Sequence, residues 1–406
     1  MGNVSYLKEK PIAVLGAGAV GKACAADCAL AGQQVRIFDM EPFAEKTLFG
    51  IKEQGITTYG RQRNLYGFDR VGKAEMEMVT TDLSEAVSGA GLIIVGIPAF
   101  GHEPFFRQLI PLLEDGQIIH IIPDNFGSLL FRRLMQEMGC TTKVIVGGWS
   151  SAPYGCRVEV VGGFTFPRVH VEYRAITLRG ASQPMSDADD FIESTYYMGC
   201  FDAITKGNGP VKADTALDVG FSNVNPVIHV PGTVLGVSTM ENWGKLFGSF
   251  DNRDFSIYSH AFCPSISNVQ YAFYNEEIAL ANAIGVGIPT YDKEQFFSRK
   301  TILAEEFMGP GNFHIPLDVP EYDAFGTGPN TIMHRYVTED VPVGCKVYHE
   351  LGKVYNVPTP IIDAFISLAS AMVGKDYFSE GYSLEYLGIA GLNKEEMLKY
   401  LHEGIR

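Results

Sequence analysis

Over the first two hundred residues, short unbroken apolar runs alternate with longer stretches of helical character. Ile12-Ala13-Val14-Leu15 and Leu92-Ile93-Ile94-Val95 each run into a glycine, the pattern of strands buried on both faces. Val35 to Phe38, Glu77 to Thr80, Gln117 to Pro123 and Lys143 to Gly147 read as further strands. Between them lie four predicted helices: alanine-rich Lys22 to Ala31, Asp82 to Ser88 before Gly89, Glu103 to Glu114 before Asp115-Gly116, and Ser128 to Met138 before Gly139. Strands separated by helices of this length predict an α/β, doubly wound parallel sheet of Rossmann type, whose ligands lie beyond the carboxyl ends of its strands. From Arg157 to Leu178 the residues become β-branched and aromatic, which predicts antiparallel strands completing this first domain. Lys206-Gly207-Asn208-Gly209-Pro210 is a cluster of turn formers and places the domain boundary, giving domains 1–206 and 207–406. The second domain reads as mostly α-helical. Thr359-Pro360 opens a helix that Gly374 closes, Asn356 and Pro358 stop one that begins near Pro342, and Asn393-Lys394-Glu395-Glu396 is a capping box.

The turn after the first strand carries chemistry. Gly16-Ala17-Gly18-Ala19-Val20-Gly21 joins strand to helix, and Asp39 ends the second strand eighteen residues beyond Gly21. Gly16 permits the tight turn, Gly18 admits the pyrophosphate of a dinucleotide to the backbone, and Gly21 lets helix and strand pack closely. The helix N-terminus favours the phosphate charge. A carboxylate at Asp39 accepts hydrogen bonds from ribose hydroxyls and repels a 2′-phosphate, and Met40-Glu41-Pro42 offers no arginine to hold one, so NAD is expected over NADP. Ile97-Pro98-Ala99 lies at another strand end and reads either as a wall for the nicotinamide or as core.

A formal net charge of −15 argues against nucleic acid and anionic membrane surfaces as partners, because polyanion binding needs clustered Lys and Arg. The seven cysteines lack C-x-x-C spacing and read as thiols of a reducing compartment, not as zinc ligands; no metal site is expected. Met1 to Ser5 contains no hydrophobic leader core, and Ile361 to Val373 is too short to cross a bilayer, so a cytoplasmic protein is expected.

Two segments of the second domain hold candidate chemistry. Asn225-Pro226 fits an N-cap followed by the first helical position, which puts Asn225 and His229 on one helix face one turn apart. A histidine in such apolar company is ordinarily a core residue. His334-Arg335-Tyr336-Val337-Thr338-Glu339-Asp340 then places a cation and two acids at a helix start. Thr338 or Asp340 serves there as a cap, or Asp340 orients His229 by holding one ring nitrogen so that the other faces a substrate. Arg335 is either a bidentate anchor for a substrate carboxylate or a surface partner of Glu339 or Asp340.

These residues together resemble the opine dehydrogenases, of the octopine and nopaline type and the bacterial N-(1-carboxyethyl)amino acid type. The resemblance rests on Gly16 to Gly21, Pro98-Ala99-Phe100-Gly101-His102, Pro153-Tyr154-Gly155-Cys156-Arg157, Asn225-Pro226-x-x-His229 and Arg335-Tyr336-x-x-Glu339-Asp340-Val341-Pro342. It continues through Leu351-Gly352, Val357-Pro358-Thr359-Pro360, Gly374 to Tyr377 and Leu387-Gly388. It implies a helical second domain like the C-terminal domain of 6-phosphogluconate dehydrogenase, a catalytic pair His229 and Asp340, and substrate contacts from Arg335, Asn225 and Tyr154. The implied reaction is the NADH-dependent condensation of a 2-oxo acid, pyruvate first, with an amino acid. The implied partners are small molecules, with a homodimer admitted. A 2-hydroxy acid dehydrogenase on the same architecture, and a protein that senses NAD without turnover, are the alternatives.

Overall fold

The structure is a computed structural model that describes residues 4–60, 70–248, 254–296 and 328–405. Met1 to Asn3 of the N-terminal reading lie outside it. The chain divides into two compact units. One comprises residues up to Val219 together with the C-terminal Lys399–Arg406, and the other runs from Gly220 to Leu398, apart from a short central piece.

In the first unit, β1 (Ile12–Leu15), β2 (Val35–Phe38), β5 (Met78–Thr80), β6 (Leu92–Val95), β7 (Ile118–Ile121) and β8 (Ile145–Trp149) form the parallel part of one sheet. With β11 (Thr177–Ser182) and β12 (Gly209–Lys212) added at one edge, its order is β12-β11-β8-β7-β6-β1-β2-β5, so the doubly wound arrangement reverses direction between β1 and β6. β1, β6 and β7 are buried at every position, as the unbroken apolar runs of β1 and β6 require; β7 buries His120 among its isoleucines. The helix Ala19–Leu30 packs its small residues Ala23, Ala25, Ala26 and Cys28 into the same core as Val14, Ile37 and Ile94. Close helix–sheet approach is what an alanine-rich face provides.

The segment expected to finish this domain behaves differently. β9 (Tyr154–Val161) and β10 (Phe164–Arg174) pair antiparallel, but in a separate four-stranded sheet with β3 (Ile56–Tyr59) and β4 (Gly72–Ala74). β11 (Thr177–Ser182) leaves them and pairs antiparallel with β8 in the main sheet. The turn-former cluster is likewise no linker. Asn208 donates its N–H to the Ile176 carbonyl at 2.8 Å, Gly209 takes φ +87°, and β12 (Gly209–Lys212) adds in parallel to β11. The division therefore falls at Val219/Gly220 and not at 206, because a strand follows the turn and needs the sheet for its hydrogen bonds. The C-terminal residues return to this unit, where the Tyr400 carbonyl accepts from Gln183 Nε2 at 3.1 Å.

The second unit is helical, as expected. Its longer helices are Asn225–Leu235, Pro264–Ile284, Lys346–Tyr355 and Pro360–Val373, with a one-turn helix Arg335–Thr338 and two π-helical turns, Ile257–Ala261 and Val341–Cys345. Phe273 packs against Phe365 and Phe221 stacks on Tyr348, whose hydroxyl donates to the Gly220 carbonyl. The predicted ends form. Asn356 (φ +56°) and Gly374 (φ +73°) close their helices in the left-handed conformation. Asn393 and Glu396 exchange side-chain to backbone hydrogen bonds at 2.9 and 3.1 Å, which is the capping box.

Candidate active site

The dinucleotide loop has the shape its sequence requires. Gly16 sits at φ +103°, and a Cβ there would come within 2.8 Å of the Gly96 carbonyl oxygen and of the Ile97 side chain. A Cβ on Gly21 would lie 1.8 Å from the Gly16 oxygen, so helix and loop touch backbone to backbone. Gly18 is the contrast. Nothing lies within 4 Å of its absent side chain, which leaves the open cradle that a pyrophosphate needs in front of the helix beginning at Ala19. Asp39, largely buried at the end of β2, accepts the N–H of Ala17 at 3.0 Å and of Met40 at 2.9 Å. Two backbone donors fix the carboxylate while leaving it acceptor capacity for ribose hydroxyls. The loop, the open face and the acid fit a dinucleotide.

Ile97-Pro98-Ala99 follows β6. Ala99 is fully buried, Ile97 is partly buried against Gly16, and Pro98 is exposed. One feature of this edge has no sequence signal strong enough to find it. After the neighbouring strand β7, Asn125 (φ +45°) and Phe126 (φ +61°) are both left-handed. Asp124, fully buried, fixes that turn by accepting the Ser128 N–H at 2.9 Å and its hydroxyl at 3.0 Å, and burial pushes its carboxyl up to about 7. Consecutive non-glycine residues in this region cost energy and persist where the surroundings demand them.

Tyr154 is placed differently from expectation. Its hydroxyl donates to Asp27 Oδ2 at 2.6 Å and contacts the Cys200 carbonyl at 3.2 Å, while Arg174 both pairs with Asp27 and lies over the tyrosine ring. Buried and committed in this way, the side chain holds the first unit together and offers a substrate nothing. Lys22, next after Gly21, is also buried. It reaches the carbonyl and hydroxyl of Thr165 at 2.8 Å each, and desolvation pulls its ammonium down to about 8 against the opposing pull of Asp39.

The second unit brings His229 and Asp340 together. His229 Nδ1 lies 2.8 Å from Asp340 Oδ2, with both side chains nearly buried. The capping alternative is not the geometry adopted: the Asp340 carboxylate makes no cap hydrogen bond, and Thr338 instead donates its hydroxyl to the His334 carbonyl. Burial pushes the Asp340 carboxyl up to about 7, with the charge of Arg335 opposing. Asn225 is the first helical residue and not the cap, since Val224 occupies that position; Asn225 N–H is taken by the Asn223 side chain at 3.1 Å. One turn still separates it from His229. Arg335 pairs with buried Glu339 at 2.9 Å, as the surface-pair reading anticipates, yet is half-exposed, so its guanidinium keeps a free-facing edge.

Two tyrosines complete this site and were not legible in the sequence. Tyr336 stacks flat on the His229 imidazole, with centroids 3.5 Å apart and planes inclined by 12°. Tyr258, in the π-helical turn, places its hydroxyl 3.1 Å from His229 Nε2. His120 shows the ordinary fate of a buried histidine by contrast. It is held by Ser194 and Trp149 inside β7, and desolvation pulls it down to about 3, so it stays neutral. Among the described residues no group of three or more His, Cys, Asp or Glu is placed to hold a metal ion.

Residues 212–373 match the family model described as the α-helical domain of NAD/NADP octopine/nopaline dehydrogenase, and residues 11–124 match that of the N-terminus of NAD-dependent glycerol-3-phosphate dehydrogenase. The chain is 27% identical to the opine dehydrogenase of Arthrobacter sp. (strain 1C), over 95% of this chain and 97% of that one. It is 25% identical to the vitopine synthase of Allorhizobium ampelinum, over 96% and 99% respectively. Among solved structures it is similar to an octopine dehydrogenase described with NADH and L-arginine, at a TM-score of 0.67 and 19% identity, covering 98% of each chain.

Proposed function

As a homologue of the opine dehydrogenases along almost its whole length, this protein is, we infer, an NADH-dependent enzyme that joins a 2-oxo acid to the amino group of an amino acid, giving an opine. The observation that carries the reading is the His229–Asp340 pair: one buried proton donor, oriented by one buried acid, for a condensation in which the carbonyl oxygen must be protonated before it leaves as water. Pyruvate is the oxo acid of first choice, since an octopine dehydrogenase of the same fold was solved with it.

When bound, the reduced nicotinamide supplies the hydride. The chain's residues do the rest. Arg335 faces the carboxylates that both substrates bring and binds one bidentately. Asp340 holds the Nδ1 proton of His229, so Nε2 is the nitrogen presented to the carbonyl oxygen. Nε2 of the neutral imidazole takes a proton from the substrate ammonium and so frees its lone pair; as that pair forms the C–N bond, the carbonyl pair moves to oxygen, which takes the proton back from Nε2. Nε2 then removes a proton from the newly bonded nitrogen and passes it to the hydroxyl, which leaves as water while the nitrogen lone pair closes the iminium, the group that the cofactor's hydride would reduce. Asp340 stabilises the imidazolium that each step requires. Gly18, the helix N-terminus and Asp39 seat the dinucleotide and make NAD the preferred form.

The proposal extends to setting and partners. The partners are small molecules, with neither nucleic acid nor membrane involved; no helix among the described residues is long and apolar enough to cross a bilayer. A cytoplasmic location agrees with seven cysteines none of which is in a disulfide. A homodimer is the assembly to test by sedimentation.

The deciding assay follows NADH absorbance with pyruvate alone and with pyruvate plus amino acids pooled by charge and size. Oxidation that requires the amino acid is expected. Oxidation by the oxo acid alone would establish the hydroxy acid reading instead, and silence with every 2-oxo acid and amine pool would point to NAD binding without turnover.

A further inference from the structure

The hydroxyl of Tyr258 lies 3.1 Å from the one nitrogen of His229 that Asp340 does not hold. Since Nδ1–H donates to the carboxylate, Nε2 of the neutral ring carries a lone pair, and the phenol O–H donates to it. The contact is built. Tyr258 is nearly buried, and its ring meets the imidazole at 74° while Tyr336 covers the imidazole face. Its turn, Ile257–Ala261, is pinned on both sides. Ile257 N–H donates to the Gly328 carbonyl at 3.1 Å, Ser256 N–H to His260 Nδ1 at 2.9 Å, and Phe262 N–H back to the Ile257 carbonyl at 2.9 Å. Single π-turns of this kind concentrate at functional sites.

This geometry constrains where a reacting oxygen can sit. To receive the Nε2 proton, that oxygen must come within about 3 Å of the nitrogen. The Tyr258 hydroxyl already stands at that distance from the same atom. A substrate oxygen that meets Nε2 on the side of this hydroxyl comes within hydrogen-bonding reach of both groups. We propose that Tyr258 is a catalytic residue: on substrate binding its O–H turns from Nε2 to the substrate oxygen and acts as the second hydrogen-bond donor beside His229. The hydroxyl keeps its proton throughout. His229 takes a proton from the substrate ammonium and gives it to oxygen as the C–N bond forms, then takes one from the newly bonded nitrogen and gives it to the hydroxyl as the C–O bond breaks, while Tyr258 stabilises the negative charge that develops on oxygen in the first transfer. In the empty site the same O–H holds Nε2 in its acceptor tautomer, so the imidazole is already oriented before substrate arrives.

The assignment rests on the opine reading, and the test separates the two. Tyr258→Phe removes only the hydroxyl. In the full-length protein, with pyruvate and the amino acid pool that the wild type uses, kcat is expected to fall roughly 10- to 100-fold, within the range for loss of one such donor or somewhat below it. The NADH dissociation constant, read by fluorescence, should stay within about twofold and the melting temperature within about 2 °C, because neither touches this oxygen. In the substrate-free protein the 15N resonance of His229 Nε2, identified by its loss in His229→Gln, should move in Tyr258→Phe. A kcat within twofold of wild type, or an unmoved Nε2 resonance, overturns the assignment and leaves the opine reading standing. A wild type with no amine-dependent NADH oxidation overturns both.

Discussion

Replacing Asp340 by Asn tests the proposed pair most directly, because the substitution keeps the side-chain shape and removes the charge. The structure supplies the magnitude. His229 and Asp340 meet at 2.8 Å, which places their charge centres about 4 Å apart when both are ionised, an attraction of about 4 kcal/mol at an effective dielectric of 20. Burial opposes it: moving the Asp340 carboxyl from its ordinary value near 3.8 to about 7 corresponds to about 4 kcal/mol against ionisation. The two effects are of one size, so the attraction to an imidazolium offsets the cost of burying the carboxylate. In Asp340→Asn the attraction vanishes while the imidazolium remains poorly hydrated, so the acid form of His229 becomes scarce near neutrality. The amide can also donate to Nδ1 and hold the ring in the wrong tautomer. We expect kcat to fall by about 10²–10³, in line with a positioned acid–base group. NADH affinity should stay within about twofold, since the dinucleotide loop belongs to the other unit. Steady-state NADH oxidation at saturating pyruvate and amino acid measures the first, and fluorescence titration the second. A kcat within threefold of wild type would refute the pair's role.

The dinucleotide loop gives a paired expectation. Gly21→Ala places a methyl 1.8 Å from the Gly16 oxygen and should cost about 3 kcal/mol or more, a fall in Tm of roughly 6–12 °C, whereas the Cβ of Gly18→Val meets no protein atom within 4 Å, so this variant should leave Tm nearly unchanged while weakening NADH roughly tenfold or more. Calorimetry and fluorescence titration on both variants separate the two glycines; a Gly18→Val protein with undiminished NADH affinity would remove the pyrophosphate from that face. Asp39→Ala should weaken NADH and relax discrimination against NADPH, and a variant still strictly NAD-specific would remove the carboxylate from that role. Asp124 sets a pH dependence. Its folded-state carboxyl is raised to about 7, so the stability it contributes is full below about 3.8 and is lost as pH rises through about 7. Asp124→Asn keeps both Ser128 contacts satisfiable without the charge, so its advantage in Tm over wild type should grow between pH 5 and 7 and level off above, and parallel pH profiles would contradict the buried acid.

What the sequence could disclose follows from the range of the interactions involved. The parallel sheet was readable because a strand buried on both faces is apolar almost throughout: β1 and β6 are so at every position, and β7 at all but His120. The loop was readable because its glycine spacing is set within one strand–turn–helix unit, as Gly21 against Gly16 shows. Helix ends at Asn356, Gly374 and Asn393 were readable for the same local reason. Reading failed where partners are distant in the chain. The turn at 206–210 looks the same whether a linker or a strand follows it, and only the pairing of β12 with β11 decides. Tyr154 carried a family motif, yet its hydroxyl answers to Asp27 and the Cys200 carbonyl, which no local pattern specifies.

The catalytic pair stands between these cases. His229 and Asp340 are 111 residues apart, so their meeting came from a resemblance and not from spacing. The resemblance says nothing of Tyr258, whose neighbours Ser256, Ile257 and Ser259 form no pattern of charge or period. Tyr336 covers the imidazole face and Tyr258 meets its outer nitrogen, and on the other side of the ring burial raises the Asp340 carboxyl toward neutrality. An exposed Asp–His pair would titrate as two ordinary groups, the acid fully ionised and the ion pair weak. Burial brings the Asp340 carboxyl up toward the range in which an imidazole ordinarily titrates, and a donor that must give up and regain its proton within one turnover works best beside a group of similar proton affinity.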